Sequence, residues 1–313
     1  MPEILSITEE NIILSLEKLK SDELVAFPTE TVYGLGGNAY SDKAVAEIFA
    51  YKNRPNFNPL PVCYANLERA SNDVFINDLA IKLAENFLPG PLTMLLKRRP
   101  DSKISHLASD GLDTICVRIP SNSVSQKLLL NLDFPLAVPS ANRSAGISPT
   151  NAQAVAESLR DCEKLIILDG GQCNIGIEST IIDLVGENPK ILRYGAIDKE
   201  EISRKCNIVF EEKKEKNSAT LKHYVTTKKI IKNAEKAGEN DALLAFGTPF
   251  PNNCMHVLNL SPSGDLNEAA ANFFSMLREL DRTDSDNICI MKIPEKGIGI
   301  ALNDRIRKAA QEN

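Results

Sequence analysis

Residues 24 to 60 constrain the fold of this chain more than any other stretch. Leu24, Val25, Ala26 and Phe27 read as a short buried strand that stops at Pro28. A polar loop follows, carrying Thr29, Glu30, Thr31 and Tyr33 and punctuated by Gly34, Gly36 and Gly37. Glycines there let the backbone turn or approach a ligand closely. A helix comes next, with Asp42 as its cap and Val45, Ile48 and Phe49 on one face. Two cations, Lys52 and Arg54, close the unit. A polar loop opening where a strand ends is where α/β sheets bind ligands. The plainer alternative is a turn beside two surface cations.

The rest of the chain repeats that grammar. Thr8 opens a helix with an apolar stripe of Ile12, Ile13, Leu16 and Leu19. Apolar strands are expected at 61–65, 92–96, 114–119, 136–139, 164–168, 180–184 and 191–193, and helices at 77–88 and 151–159. Lys97, Arg98 and Arg99 read as the solvated end of a strand. Alternation of strands and helices predicts an α/β domain over residues 1–210. Residues 211–216 carry six charges that sum to zero and no apolar side chain, so 211–228 reads as a linker, with His223 and Tyr224 near its end. A second, smaller α/β domain is expected over 229–313. It has strands at 242–246 and 287–293, a turn at 261–265, and helices at 266–280 and 300–310.

Composition excludes several classes of function. The 313 residues suffice for two domains with real cores. A net charge of −6 argues against a dedicated nucleic-acid binder. Seven cysteines are scattered without a CxxC pair, which reads as reduced core thiols in a cytosolic protein. The three histidines lack metal-ligand spacing, so no structural zinc site is expected. The first residues lack the features of a signal peptide, and no apolar run nears the ~20 residues of a membrane span.

The chemistry points to isolated cations. Arg118 sits inside the apolar run Thr114 to Ile119, where an unpaired charge is costly, so it is expected to face a cleft. Arg193 ends another apolar run beside Gly195. Lys52, Arg54, Arg118 and Arg193, if they converge, bind an anion by charge-assisted hydrogen bonds. There is no GxxxxGK[ST] loop, no GxGxxG between a strand and a helix, and no apparent Ser-His-Asp or Cys-His set. A covalent nucleophile is therefore not expected. Catalysis would rest on positioning and charge stabilisation, the pattern of phosphoryl and nucleotidyl transfer. Taken alone, the residues reach an anion-binding α/β enzyme and stop there.

PTETVYGLG at 28–36, KNRP at 52–55, NPLPV at 58–62, PGPLT at 89–93, VRIP at 117–120, PSAN at 139–142, SPT at 148–150, ESTIID at 178–183 and LRYGAI at 192–197 resemble, in order, the YrdC-like family. ALLAFG at 242–247, LSPSGDLNEAA at 260–270 and GIGIALNDRIRKAA at 297–310 resemble the accessory domain of the longer, two-domain threonylcarbamoyl-AMP synthases. The resemblance covers nearly the whole chain outside the linker. It implies a twisted mixed-sheet domain with a large cleft and a small Rossmann-like C-terminal domain. The implied reaction joins L-threonine, bicarbonate and ATP into L-threonylcarbamoyladenylate and pyrophosphate, with Mg²⁺ accompanying ATP and no dedicated protein ligand for it. The product is passed to a tRNA threonylcarbamoyltransferase complex, with weak or no direct tRNA binding and no membrane.

Residue by residue, the resemblance implies a threonine pocket of Thr31, Arg118, Ser140 and Ser179, with Arg118 on the substrate carboxylate. It implies an ATP side of Lys52, Arg54, Asn58, Thr114, Asn142, Thr150 and Arg193, with Ser148 as an alternate to Thr150. Lys52, Arg54, Ser140 and Asn142 form the signature set, and Tyr224 is the linker residue that closes over the nucleotide. Glu178 is expected to orient its loop. Three departures stand out. Cys63 occupies a position near the threonine where the family usually has His. Asn53 replaces a Gly, and Ala219, Thr220, Leu221, Val225 and Thr226 replace the usual linker run. A hydrogenase-maturation carbamoyltransferase shares the domain but carries an upstream acylphosphatase-like segment and zinc-finger cysteines that this chain lacks. An RNA-binding module and a nucleotide-binding paralogue without turnover are the other readings.

Overall fold

The computed structural model describes residues 1–54, 59–211, 223–251 and 253–310. Asn58, most of the charged run after Glu211, and Ala219, Thr220 and Leu221 lie outside the described residues.

In chain order the first part comprises β1 (Glu3–Ser6), α1 (Glu9–Lys20), β2 (Val25–Phe27), β3 (Gly34–Asn38), α2 (Asp42–Lys52), β4 (Val62–Cys63), α3 (Leu67–Ala70), α4 (Asp78–Phe87), β5 (Leu92–Lys97), β6 (Thr114–Arg118), α5 (Ser123–Leu130), β7 (Leu136–Ala137), α6 (Ala152–Ser158), β8 (Ile166–Asp169), β9 (Thr180–Asp183), β10 (Lys190–Arg193) and α7 (Lys199–Cys206). The second part comprises β11 (Lys229–Lys232), β12 (Ala242–Ala245), β13 (His256–Asn259), α8 (Leu266–Asp281), β14 (Asn287–Ile290) and α9 (Ile298–Ala310).

Ten strands make one mixed sheet in the order β1-β8-β2-β3-β7-β4-β6-β5-β9-β10. Four more make a parallel sheet, β11-β14-β12-β13. The α/β class and the two-sheet layout agree with the sequence reading. Among the described residues, no helix is long and apolar enough to cross a membrane.

Local chemistry explains the helix starts. Thr8, Asn77, Asn151 and Asp265 each accept a backbone N–H of their helix's first turn, as N-caps do. For α2 the cap is Ser41, whose hydroxyl accepts from Ala44 N, and not Asp42. Asp42 belongs to the first turn and accepts the hydroxyl of Ser105 from another loop. Its carboxylate suits the positive end of the helix, which is why it resembles a cap in sequence.

The larger correction concerns the glycines. Gly34, Gly36 and Gly37 do not turn the chain; they are in β3, antiparallel to β2 on one side and β7 on the other. Their reason is crowding. A Cβ on Gly36 would lie 2.4 Å from the Phe27 ring, and one on Gly34 would lie 2.3 Å from a Val138 methyl. The strand was hidden because close packing, not apolar side chains, makes it buried. Arg98 is the second correction. It is not solvated at the strand end; its buried guanidinium donates to Ser109 Oγ (3.2 Å) and to the carbonyls of Ser102 and Ile104. Three backbone and hydroxyl acceptors make that burial tolerable. Strands β1, β11 and β13 and helices α3, α5 and α7 have no counterpart among the elements expected from the sequence.

The two parts share a core. The cluster built on α8, α9 and the parallel sheet also takes in Val32, Ile147, Ile177 and Tyr224, all from outside that sheet. Gly36→Ala should cost about 1–3 kcal/mol of stability through overpacking against a ring that is fully buried. Urea unfolding against the parent chain checks this; an unchanged midpoint would mean that β3 tolerates a methyl.

Candidate functional site

A cleft of about 580 Å³ opens where β2, α2, β6, β7 and β10 end. Its wall carries Lys52, Arg54, Arg118, Ser140, Asn142, Ser148, Ser179, Arg193 and Tyr224 together. Thr29, Ser144, Glu178, His223 and Lys308 also reach it.

Arg118 is delivered by β6 and held by the loop after β2. Thr29 folds that loop on itself: its hydroxyl donates to Val32 O (2.7 Å) and accepts from Thr31 N (3.2 Å). The folded loop offers three acceptors to one nitrogen of Arg118: Thr31 Oγ1 at 2.7 Å, Glu30 Oε1 at 2.8 Å and Thr29 Oγ1 at 3.3 Å. Ser121 N occupies the other Glu30 oxygen at 3.0 Å. Burial disfavours charge on Arg118, and Glu30 more than restores it. Thr31 therefore meets the cleft through Arg118.

Lys52 ends α2 fully buried. Its Nζ donates to the carbonyls of Ser140 (2.5 Å) and Asn142 (2.6 Å), which fixes the loop after β7 against the helix. Burial holds its pKa well below the ordinary lysine value, and Arg54 and Arg143 push the same way. Arg54 is brought down to about 10 by burial, with Arg193 adding repulsion. Its guanidinium donates to Pro59 O at 3.3 Å. Arg193, from β10, donates to Ser179 O and Ser179 Oγ, both at 3.0 Å.

Glu178 is the hub of the opposite wall. Ser148 Oγ (2.7 Å) and Tyr224 Oη (3.0 Å) donate to its Oε1, and Arg305 Nε donates to Oε2 at 3.1 Å. Burial alone would raise its pKa. Arg305, Arg193 and the Ser148 hydroxyl overcome that and hold it at about 2. Burial also raises the Tyr224 phenol, so it stays a donor.

Among the described residues, three buried atoms on the wall have no hydrogen-bond partner: Arg118 Nε, Asn142 Oδ1 and Ser144 Oγ. Natural proteins leave such atoms orphaned rarely, and a ligand site is one reason. Here a donor that suits a carboxylate stands with a hydroxyl and an amide oxygen in one cavity.

Some residues singled out in sequence do not line the cleft. Cys63, in β4, pairs with Arg118 of β6 in register but packs into the apolar cluster with Phe27 and Val138. Burial pushes its thiol up to about 12, so it stays a neutral, weak hydrogen-bond group. Thr114 begins β6 half-buried, paired with Lys97. Thr150 is buried with its carbonyl held by Cys173 N at 2.8 Å. Sequence reasoning missed Ser144, Lys308 and Arg305; it placed Thr29 in the ligand-facing loop and His223 beside Tyr224 without giving either a role of its own. Arg305 left a signal: it lies on the apolar stripe of α9 with Ile298, Ala301, Leu302 and Ala309, where a lone cation needs a partner.

A family model described as telomere recombination (Sua5, YciO, YrdC) matches residues 17–195, and one described as the threonylcarbamoyl-AMP synthase C-terminal domain matches residues 203–311. The chain belongs to the Sua5/YciO/YrdC family. Among Sua5-type relatives, the threonylcarbamoyl-AMP synthase of Pyrococcus abyssi is 34% identical over 334 residues, covering 97% of this chain and 95% of its own length. That of Bacillus subtilis is 31% identical, covering 98% and 94%. The crystal structure of P. abyssi Sua5 complexed with L-threonine matches with a TM-score of 0.88 at 33% identity, covering 99% of this chain and 98% of that one.

Ionisation of Glu178 links this Sua5-type cleft to stability. Its folded pKa of about 2 lies below the ordinary 4.5. The stabilisation is therefore complete above pH 4.5, on the order of 3 kcal/mol, and is lost as pH falls through 2. Glu178→Gln should lose less stability than the parent over that acid range. Urea midpoints measured as a function of pH test this, and parallel curves would show that Glu178 contributes nothing to the acid limb.

Proposed function

We propose that this chain is a threonylcarbamoyl-AMP synthase acting as a nucleotidyltransferase in the cytosol, with L-threonine, bicarbonate and ATP as substrates. One observation carries the reading: four cations and three unpartnered buried polar atoms face a single cleft. The threonine carboxylate is assigned to Arg118, whose Nε has no partner while Thr29, Glu30 and Thr31 fix the rest of the guanidinium. Ser140 and Ser179 are assigned to the same end. The triphosphate is assigned to Lys52, Arg54 and Arg193, with Asn142, Ser144 and Ser148 beside it. Asn58, Thr114 and Thr150 stay with the ATP side only on the family resemblance, and Cys63 with the threonine side on its register with Arg118.

The chemistry divides into two steps. Bicarbonate loses hydroxide to give CO₂, and the threonine amine attacks that carbon; a C–N bond forms as one C=O π bond opens onto oxygen, the proton that leaves the nitrogen joins the hydroxide as water, and a carbamate results. A carbamate oxygen then attacks the α-phosphorus. That P–O bond forms as the α–β bridging P–O bond breaks, and pyrophosphate departs with the electron pair. Negative charge grows on the phosphate, and preorganised cations in a buried cleft stabilise it without reorganising. Glu178 on the cleft wall and Glu30 behind Arg118 are both engaged by arginines. Among the described residues, no group of His, Cys, Asp and Glu could cage a metal. The residues therefore do not fit a protein-built Mg²⁺ site, and Mg²⁺ is assigned to the phosphates of ATP itself. The product is assigned to a tRNA threonylcarbamoyltransferase complex downstream, without tight tRNA binding by this chain.

Pyrophosphate release with ATP and bicarbonate, with and without L-threonine, tests the reading, with the adenylate identified by mass. Threonine-dependent release is expected. Arg54→Ala should lower kcat by about 100-fold or more. Arg118→Ala should raise the threonine KM about 10- to 100-fold, the value of a hydrogen bond to a charged group. ATP binding without turnover would favour a binding-only paralogue instead.

A further inference from the structure

We infer that Arg305, which lies on α9 of the second part and does not line the cleft, is a positioning residue for the nucleotide end of the site. The inference rests on reading that end as the ATP pocket.

Arg305 is fully buried. Its Nε donates to Glu178 Oε2 at 3.1 Å, and its Nη1 donates to the carbonyl of Tyr194. Each contact lies next to a cleft group. Glu178 precedes Ser179, and Tyr194 follows Arg193, which donates twice to Ser179. One guanidinium thus pins the two segments that present Arg193 and Ser179.

It also divides the Glu178 carboxylate. Oε2 faces Arg305, which leaves Oε1 to accept the hydroxyls of Ser148 and Tyr224. Those hydroxyls then point at Glu178 and hold their own loops on the cleft wall. Charge counting adds a second effect. Glu178 attracts both Arg305 and Arg193. With Arg305 present, three cations (Arg193, Arg305 and Lys308) share two carboxylates, Glu178 and the Asp304 that pairs with both Arg305 and Lys308, and a net positive charge remains on the Arg193 side for a phosphate. Without it, Glu178 would neutralise Arg193 alone and draw it from the anion.

The rest of the second part supports the same wall. Arg278 of α8 donates to Ile147 O at 2.7 Å, just before Ser148, and Phe274 of α8 packs on the Tyr224 ring at 5.1 Å between centroids. At the threonine end, the carboxylate anchor Arg118 is held by β6 and the loop after β2, with no contact to Arg305 among the described residues; only Ser179 of that end lies on the wall Arg305 pins. The two ends should therefore respond differently.

The test uses the full chain and the variants Arg305→Met and Arg305→Lys. Dissociation constants for ATP and for L-threonine are measured by calorimetry, and KM and kcat by pyrophosphate release. Arg305→Met should raise the ATP Kd and KM about tenfold or more and leave the threonine Kd within twofold. Arg305→Lys, which keeps the charge, should recover part of the ATP loss. Removing one partner of a buried pair can unfold a protein, whereas neutralising both often does not. The Glu178→Gln, Arg305→Met double variant therefore supplies the same measurement if the single variant does not fold. An ATP Kd within twofold of the parent, or threonine binding weakened by the same factor, would overturn the inference. Absence of turnover in the parent chain, with ATP binding that still depends on Arg305, would sink the synthase reading and leave this one standing.

Discussion

Lys52, Arg54, Arg118 and Arg193 meet around one cleft, largely out of water, where like charges repel most strongly. Much of the surrounding structure exists to hold that crowd. Two loop carbonyls receive Lys52, and the turn after β2 is folded by Thr29 so that Glu30 and Thr31 receive Arg118. Glu178 receives a buried arginine on one oxygen and two hydroxyls on the other. The balance is deliberately short of neutrality. Burial and mutual repulsion hold Lys52 and Arg54 below their ordinary proton affinities, so a polyanion entering the cleft relieves a strain already present.

Legibility in sequence followed locality. The strands at Val25, Leu92, Thr114 and Thr180 showed as short apolar runs, and the caps at Thr8 and Asn77 act within three residues of themselves. Arg118 showed because a cation inside an apolar strand must face something polar. Strand β3 did not show, since glycine carries no pattern and its burial comes from Phe27 and Val138 closing over it. Arg98 was misread because its acceptors are backbone carbonyls, which leave no mark on the residue letters. Arg305 and Glu178 are 127 residues apart, and only the fold reveals that each answers the other. Motif resemblance reached the cleft residues that composition and periodicity could not.

The boundary drawn from composition and the boundary drawn from packing are not the same line. The charged run after Phe210 separates two patterns of secondary structure, yet the second part's core includes Val32 and Ile177 from the loops that shape the cleft. Tyr224 belongs to both, with its ring on Phe274 and its hydroxyl on Glu178. The second sheet is therefore built into the wall of the site it stands beside.

The glycines of β3 carry a consequence for how such a cleft can diverge. A strand whose side-chain positions are filled by Phe27 and Val138 is costly to alter alone, because a residue larger than glycine at position 36 presses on the ring at position 27. A change at one position is thereby coupled to its neighbour across the sheet, so the surface under the site behaves as one packed plane and not as a row of independent positions.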